Sequence, residues 1–397
     1  MKVLEAEFSV DTMKDNLVEL SDLMRKFVFD NDQKMFERLV YEDDRTFLEP
    51  NLFYHYLQKK DKDTSIEIEQ ILWGYYKDLD WKQKEVMVYA DRNGLINLPN
   101  VGYLKAKPQT KFAMKFDGAG FQLNGVKAEF IPSLFIDESP IRLCLHEIPL
   151  LTKYIDTHFV ENTQDTCTSC LSAINRAYAI IKAINPSFQE ALDATNRELA
   201  VYRAPDKESF ASMNYYGVGF IHAESRQSSE IFFIEDMAHQ CGHVMFTALT
   251  LDPQKFLKVD QDTLIKEFTH VEWEARHVYG VFHGLFTYTT IIDLLSRTIE
   301  NVTLSDELLA EALGRLGFFM NKFKNDLAKM NDNRILTKNG FDYFDMFKAG
   351  YDVIYDQYRH VYREFDYGNQ SYVFSNEKFV EQNKEAIPDI VSTAKSL

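Results

Sequence analysis

Apolar positions recur in three distinct patterns along the chain. Leu17, Leu20, Met24, Phe27 and Val28 step at helical spacing, and Ser65 to Asp78 forms a second helical stretch around Ile71, Leu72 and Tyr75. Between Val86 and Ile136 the period shortens to two. Phe112, Met114 and Phe116 alternate with polar residues, as do Phe121 with Leu123, and Val126 with Ala128 and Phe130. Asn93-Gly94 and Asn124-Gly125 supply hairpin dipeptides, so this region predicts a small antiparallel sheet.

From about Pro149 the helical period returns. One helix is expected from roughly Thr168 to Ala183, and Pro186 opens another. Strand-like stretches at Gly217–His222 and Glu230–Ile234 come before a helix beginning near Glu235. Two later segments are strongly periodic: Leu309, Leu313, Leu316, Met320, Phe323 and Leu327, then Phe344, Phe347, Tyr351, Ile354, Tyr358, Val361 and Phe365. They predict paired helices in a bundle, and their heptads leave a coiled-coil partner, and so a homodimer, open. The expected class is α+β, mostly α: a helical bundle with a small antiparallel sheet in the first half. The switch from strand to helix pattern puts a boundary near 145, giving regions 1–145 and 146–397.

Composition narrows the class of partner. The net charge of −17 opposes the counterion-releasing contacts on which non-specific nucleic-acid binding depends, and it opposes docking on anionic lipid. Four cysteines in 397 residues are no disulfide framework. Met1 to Asp15 lacks the apolar core of a signal peptide, and the most apolar stretch, Val278 to Leu295, is interrupted by His283, three threonines and Asp293. A cytoplasmic location, without membrane or nucleic acid, is the expectation. The 14% aromatic content beside few Gly and Pro suggests helix-rich packing around an aromatic interior.

Chemistry concentrates in Glu235-Asp236-Met237-Ala238-His239-Gln240-Cys241-Gly242-His243. His239 and His243, four apart on a helix, project from one face and can reach one metal ion. Between them stands Gln240, an amide without useful basicity, where a zinc peptidase of this pattern carries its general base. Hydrolysis by that route is disfavoured, whereas a metal that activates oxygen needs no such base. Glu235 and Asp236 read as first-turn acids favoured by the helix dipole, too far along the axis to share an ion with His243. The third ligand is sought in Glu272 to Gly284. If that segment is helical, Arg276, Gly280 and His283 share one face, Gly280 and Gly284 leave room beside His283, and Arg276 can fork onto a carboxylate. Structural roles for Arg276 and the glycines stay open. The spacing of Cys167 and Cys170 suits redox or zinc chemistry, but no completing ligands accompany it, and Cys241 reads as packing.

Together, His239-Gln240-Cys241-Gly242-His243 and Arg276 to Gly284 resemble the HExxH-type 2-oxoglutarate-dependent peptide β-hydroxylases, which modify ribosomally made peptides. The agreement covers about 80 residues. The resemblance implies a mononuclear iron(II) held by His239, His243 and His283, with 2-oxoglutarate and O2 as cosubstrates. It makes Arg276 the residue for the distal carboxylate, with Arg226 in reserve. A peptide or peptide-like substrate is implied, oxidised at an unactivated β carbon, with the first region suited to peptide recognition. Gln240 departs from the family at its name-giving Glu, the catalytic position, which leaves its role there open. Two other readings stand: a zinc hydrolase using Glu272 or Glu274 as base, and a metal-free peptide-binding homologue.

Overall fold

Asn124 and Gly125 both adopt positive φ, 49° and 80°, and close a two-residue hairpin in which Leu123 faces Val126. That is the turn Asn-Gly is built to make. The computed structural model describes residues 10–57, 66–154, 160–205 and 207–395. The described residues are 55% helical with 13% strand, an α+β fold that is mostly α, with small antiparallel sheets in the first half.

The strands are β1 (Val86–Tyr89), β2 (Leu95–Leu98), β3 (Gly102–Lys105), β4 (Lys111–Phe116), β5 (Phe121–Leu123), β6 (Val126–Lys127), β7 (Glu129–Pro132), β8 (Leu134–Phe135), β9 (Arg142–Leu143), β10 (Glu198–Tyr202), β11 (Phe210–Ala211) and β12 (Val218–His222). They form three sheets, in the orders β1-β4-β5-β6, β2-β3-β7 and β11-β12-β10-β9-β8. The expected Asn93-Gly94 hairpin does not join neighbours, because β1 pairs with β4 while β2 pairs with β3. Instead Asp91 Oδ1 accepts the Asn93 and Leu95 amides at 2.9 and 2.8 Å and turns the chain from one sheet into the next.

Two compact units result, each drawn from separate stretches of chain. The sheet unit comprises Lys14–Leu171 and Thr195–Arg226; the helical unit comprises Met1–Met13, Ser172–Ala194 and Gln227–Leu397. They do not divide at the single boundary expected near 145. The reason is β10, a fully buried run that the apolar pattern did not flag, which returns to pair in parallel with β9, Glu198 facing Arg142. Around that pairing, Cys144, Ile148, Leu150, Ala200, Tyr202 and Phe220 make a dry core.

The helical unit carries α1 (Glu230–Asp236), a π turn (Met237–Cys241), α2 (Gly242–Leu249), α3 (Val278–Asn301), α4 (Asp306–Met330) and α5 (Lys338–Tyr362). The paired periodic segments are α4 and α5, which pack on each other and on α3. Glu230–Ile234, expected as a strand, is helix. Four consecutive buried apolar residues fit either form, and Ser229 decides, its Oγ accepting the Phe232 amide as an N-cap. Among the described residues α3 is the one helix long and apolar enough to cross a membrane, and 89% of its most apolar window is buried inside the protein. In the first eighty residues, Val10–Asn31 is helical with Leu17, Leu20, Met24 and Val28 buried but Phe27 exposed. Of the stretch Ser65–Asp78, Ser65 lies outside the described residues, and the helix is Ile68–Leu72 followed by a 3-10 turn.

Candidate metal centre

The two motif histidines do not sit on an uninterrupted α-helix. His239 lies in the π turn and His243 in α2, with ring centroids 5.3 Å apart. A π turn runs its backbone bonds to i+5, a distortion that recurs at functional sites. Here a neighbour braces it: Thr290 Oγ on α3 lies 3.0 Å from the Ala238 carbonyl inside the turn and 2.8 Å from the Thr287 carbonyl, so one hydroxyl proton serves both.

His283 comes to the site from α3. Its Nδ1 is 3.3 Å from His243 Nδ1, and the rings stack with a 19° interplanar angle. Two nitrogens ligating one ion at ordinary metal–imidazole lengths stand roughly 3.0–3.4 Å apart, so the spacing suits a shared ion as well as a hydrogen bond. His283 Nε2 is buried with no hydrogen-bond partner. Tyr279 and Phe246 present edge-on rings to His283 at 4.4 and 4.8 Å, while Phe319 and Tyr288 flank His239. This dry surround acts on protonation. Burial pulls His243 down to about 4, and pulls His239 and His283 well below the ordinary imidazole value, with His243 adding a smaller push on both. All three are therefore neutral near pH 7, the form that ligates metals.

Glu235 and Asp236 end α1 rather than begin a helix, which corrects their reading as first-turn acids. Among the described residues, the three whose ligand atoms come within 4.8 Å of one another are Glu235, Asp236 and His239, a grouping that shares His239 with the histidine pair. The Glu235–His239 spacing of four was the signal for it. Glu235 Oε2 is already taken by the buried Arg315 at 2.8 Å, and Arg315 also binds Glu311 at 2.9 Å. That leaves Glu235 Oε1 3.8 Å from His239 Nδ1, the place of an outer carboxylate that orients a ligating ring.

Gln240 is buried and donates from Nε2 to Asp236 Oδ1 at 3.2 Å. The amide thus satisfies a buried acid one turn back. Cys241 is buried too, and burial pushes its thiol far up, consistent with packing.

Arg276 is not on α3. The backbone of 263–265 pairs with 276–278, Ile265 N to the Arg276 carbonyl and Val278 N to the Thr263 carbonyl, so the helix begins only at Val278. Arg276, Gly280 and His283 therefore do not share a helical face. The guanidinium makes four side-chain hydrogen bonds, two to Glu274 and two to Asp326, at 2.7–2.9 Å. Lys329 closes the network on the same two acids. Arg276 is therefore a structural cation with no spare fork for a cosubstrate carboxylate. A Cβ added at Gly280 would meet open space, whereas one at Gly284 would stand 3.5 Å from Asp326 Oδ2. Arg226 belongs to the sheet unit, is exposed, and binds Glu161 at 2.9 Å. Cys167 and Cys170 are buried and free, and burial pushes Cys167 up to about 12. No family model matches the sequence, and no curated protein is found similar to it.

Proposed function

We propose that the protein is a mononuclear non-haem iron oxygenase that oxidises an unactivated carbon of a peptide or peptide-like substrate. The observation that carries the reading is the contact of His243 with His283 across two packed segments, with the His239 ring next to that of His243, all three imidazoles neutral, and a buried unpaired nitrogen on His283. Iron(II) bound there would supply oxygen-dependent oxidation, the chemistry for which no motif carboxylate is required. The protein's own contributions are local. Thr290 fixes the π turn, Glu235 faces the His239 ring, and Phe246, Tyr279 and Phe319 keep the ring cluster dry.

2-Oxoglutarate enters through the family resemblance and is kept as the proposed cosubstrate. Its anchor is neither Arg276 nor Arg226, since acids already hold both. A zinc hydrolase with Glu274 as base gains no support: Arg276 foremost, then Lys329, hold that carboxyl down at about 2, far too acidic for a general base at neutral pH.

The test is elemental analysis of protein purified without added metal, followed by aerobic and anaerobic assays of succinate release from 2-oxoglutarate. Stoichiometric iron, lost in His239→Ala and His283→Ala, is expected, with succinate only in air. Full metal retention in both variants would remove the ligand assignment, and turnover with zinc under strict anaerobiosis would move the protein to the hydrolases.

A further inference from the structure

The sheet unit contains a pocket of about 490 Å3 in which two neighbouring arginines meet opposite fates. Arg142, on β9, is held between two buried acids, Glu49 at 3.0 Å and Glu198 at 2.7 Å. Glu49 is used up by this: Tyr75 Oη donates to its Oε2 at 2.6 Å and Asn51 to its Oε1 at 2.7 Å. Arg197 immediately precedes β10, so the β9–β10 pairing sets it beside the same cluster. Its stem lies against Gly217, where φ is +88° and any Cβ would stand 3.2 Å from Arg197 Cγ. Among the described residues, the Arg197 guanidinium has no ion-pair or hydrogen-bond partner, although it is largely buried and lines the pocket. The pKa directions separate the pair. Burial lowers both, but for Arg142 the charges of Glu198 and Glu49 reverse the effect, whereas Arg197 stays lowered.

A guanidinium taken out of water without a counter-charge is expensive to keep. The acid in the pocket lining is Glu49, whose two oxygens are both bonded, the free oxygen of Glu198 belongs to a residue behind that lining, and Arg45 at the rim is paired with Asp43. The pocket's volume is that of a small-molecule site rather than an inorganic ion. The remaining wall is apolar, with Val101, Pro132, Phe135 and Pro140, and Ser133 adds a hydroxyl. We propose that this pocket binds a small organic anion, a carboxylate or phosphate monoester on an apolar body, whose charged group pairs with Arg197 while the body lies against Phe135 and Pro140. Arg197 is the specificity determinant, because a charged hydrogen bond rewards an anion and gives a neutral isostere little. The assignment is independent of the histidine centre.

Titration calorimetry on the full chain with benzoate, phenyl phosphate and neutral benzamide tests it. At least one anion should bind about tenfold or more tighter than benzamide, the return of a single charge-assisted contact. Arg197→Met should erase the difference. Should that variant fail to fold, Phe135→Asp decides: Phe135 is 44% exposed, so the fold tolerates the change, and the new negative charge should weaken anion binding about tenfold or more with an unaltered melting temperature. Benzamide binding as tightly as both anions, or anion affinity unchanged in Phe135→Asp, overturns the proposal.

Discussion

His243 Nδ1 and His283 Nδ1 lie 3.3 Å apart although the residues belong to different helices, α2 and α3. Neither ring carries a charge near neutral pH, so no ion pair joins them, and the spacing is one that a hydrogen bond between neutral rings or a shared cation would hold. Cobalt(II) offers a direct readout. Added to metal-free protein, it should produce visible ligand-field absorption and raise the melting temperature, with about 2.7 kcal/mol gained when the free metal is a hundred times its Kd. His243→Ala and His283→Ala should each abolish both signals; an unchanged spectrum in either would strike that histidine from the site.

Gln240 invites the reverse experiment. Placing a glutamate there by Gln240→Glu would set a second carboxylate against Asp236 in a buried place, in exchange for an amide donor. Like charges there must share a proton. The variant should lose about 2–4 kcal/mol of stability at pH 7, recovering as the pH falls toward 5, whereas Gln240→Met should show a pH-independent loss. Urea melts at both pH values separate the two behaviours, and a Gln240→Glu protein as stable as the parent would contradict the Asp236 contact.

The two arginines singled out from the sequence should respond oppositely to removal. Arg276→Met removes four hydrogen bonds from Asp326 and Glu274, both buried, leaves Lys329 alone against two carboxylates, and should cost about 3–5 kcal/mol. Arg226→Met breaks an exposed pair and should cost less than about 1 kcal/mol. Equal denaturation midpoints for the two variants would show that Arg276 is not the structural cation described above.

Acid should destabilise the sheet unit through His146. Burial, with Arg142 adding to it, holds the folded imidazole at about 3. The unfolded ring takes its proton near the ordinary value of about 6.5. Since the folded pKa is the lower one, the stabilisation is complete above about 6.5 and drains away as the pH falls toward 3, at up to about 1.4 kcal/mol per pH unit. His146→Gln should flatten this slope in stability measured from pH 7 to 4; a slope identical to the parent's would assign the acid sensitivity elsewhere.

Thr290→Val tests the brace on the π turn. Losing the hydroxyl beside the Ala238 carbonyl should cost about 1–2 kcal/mol and weaken metal affinity by about tenfold or more, as changes behind a ligand typically do. Wild-type cobalt affinity in this variant would show that the turn holds itself.

Much of the helical unit was legible because α4 and α5 repeat an apolar stripe over seven turns each, long enough for the period to speak. The His239–His243 pair was legible from spacing, and so was the hairpin at Asn124-Gly125. What escaped depends on partners distant in the chain. Ile231 to Ile234 carries no period, so only the Ser229 cap distinguishes helix from strand. Arg276 looked helical because nothing local reveals that its carbonyl pairs with Ile265. The pocket at Arg197 was invisible because its walls come from residues as far apart as Arg45 and Arg197. The axial distance that separates Glu235 from His243 does not separate it from His239, four residues on.

The histidine pair is borrowed from a backbone irregularity as much as from its letters. Five residues of identical sequence on a straight helix would aim the two rings at a different mutual angle, and the geometry seen here is underwritten by a hydroxyl 52 positions away. A chain that kept His-x-x-x-His but lost Thr290 would spell the same word with another meaning, and a single-residue deletion between the histidines would swing the first ring out of register.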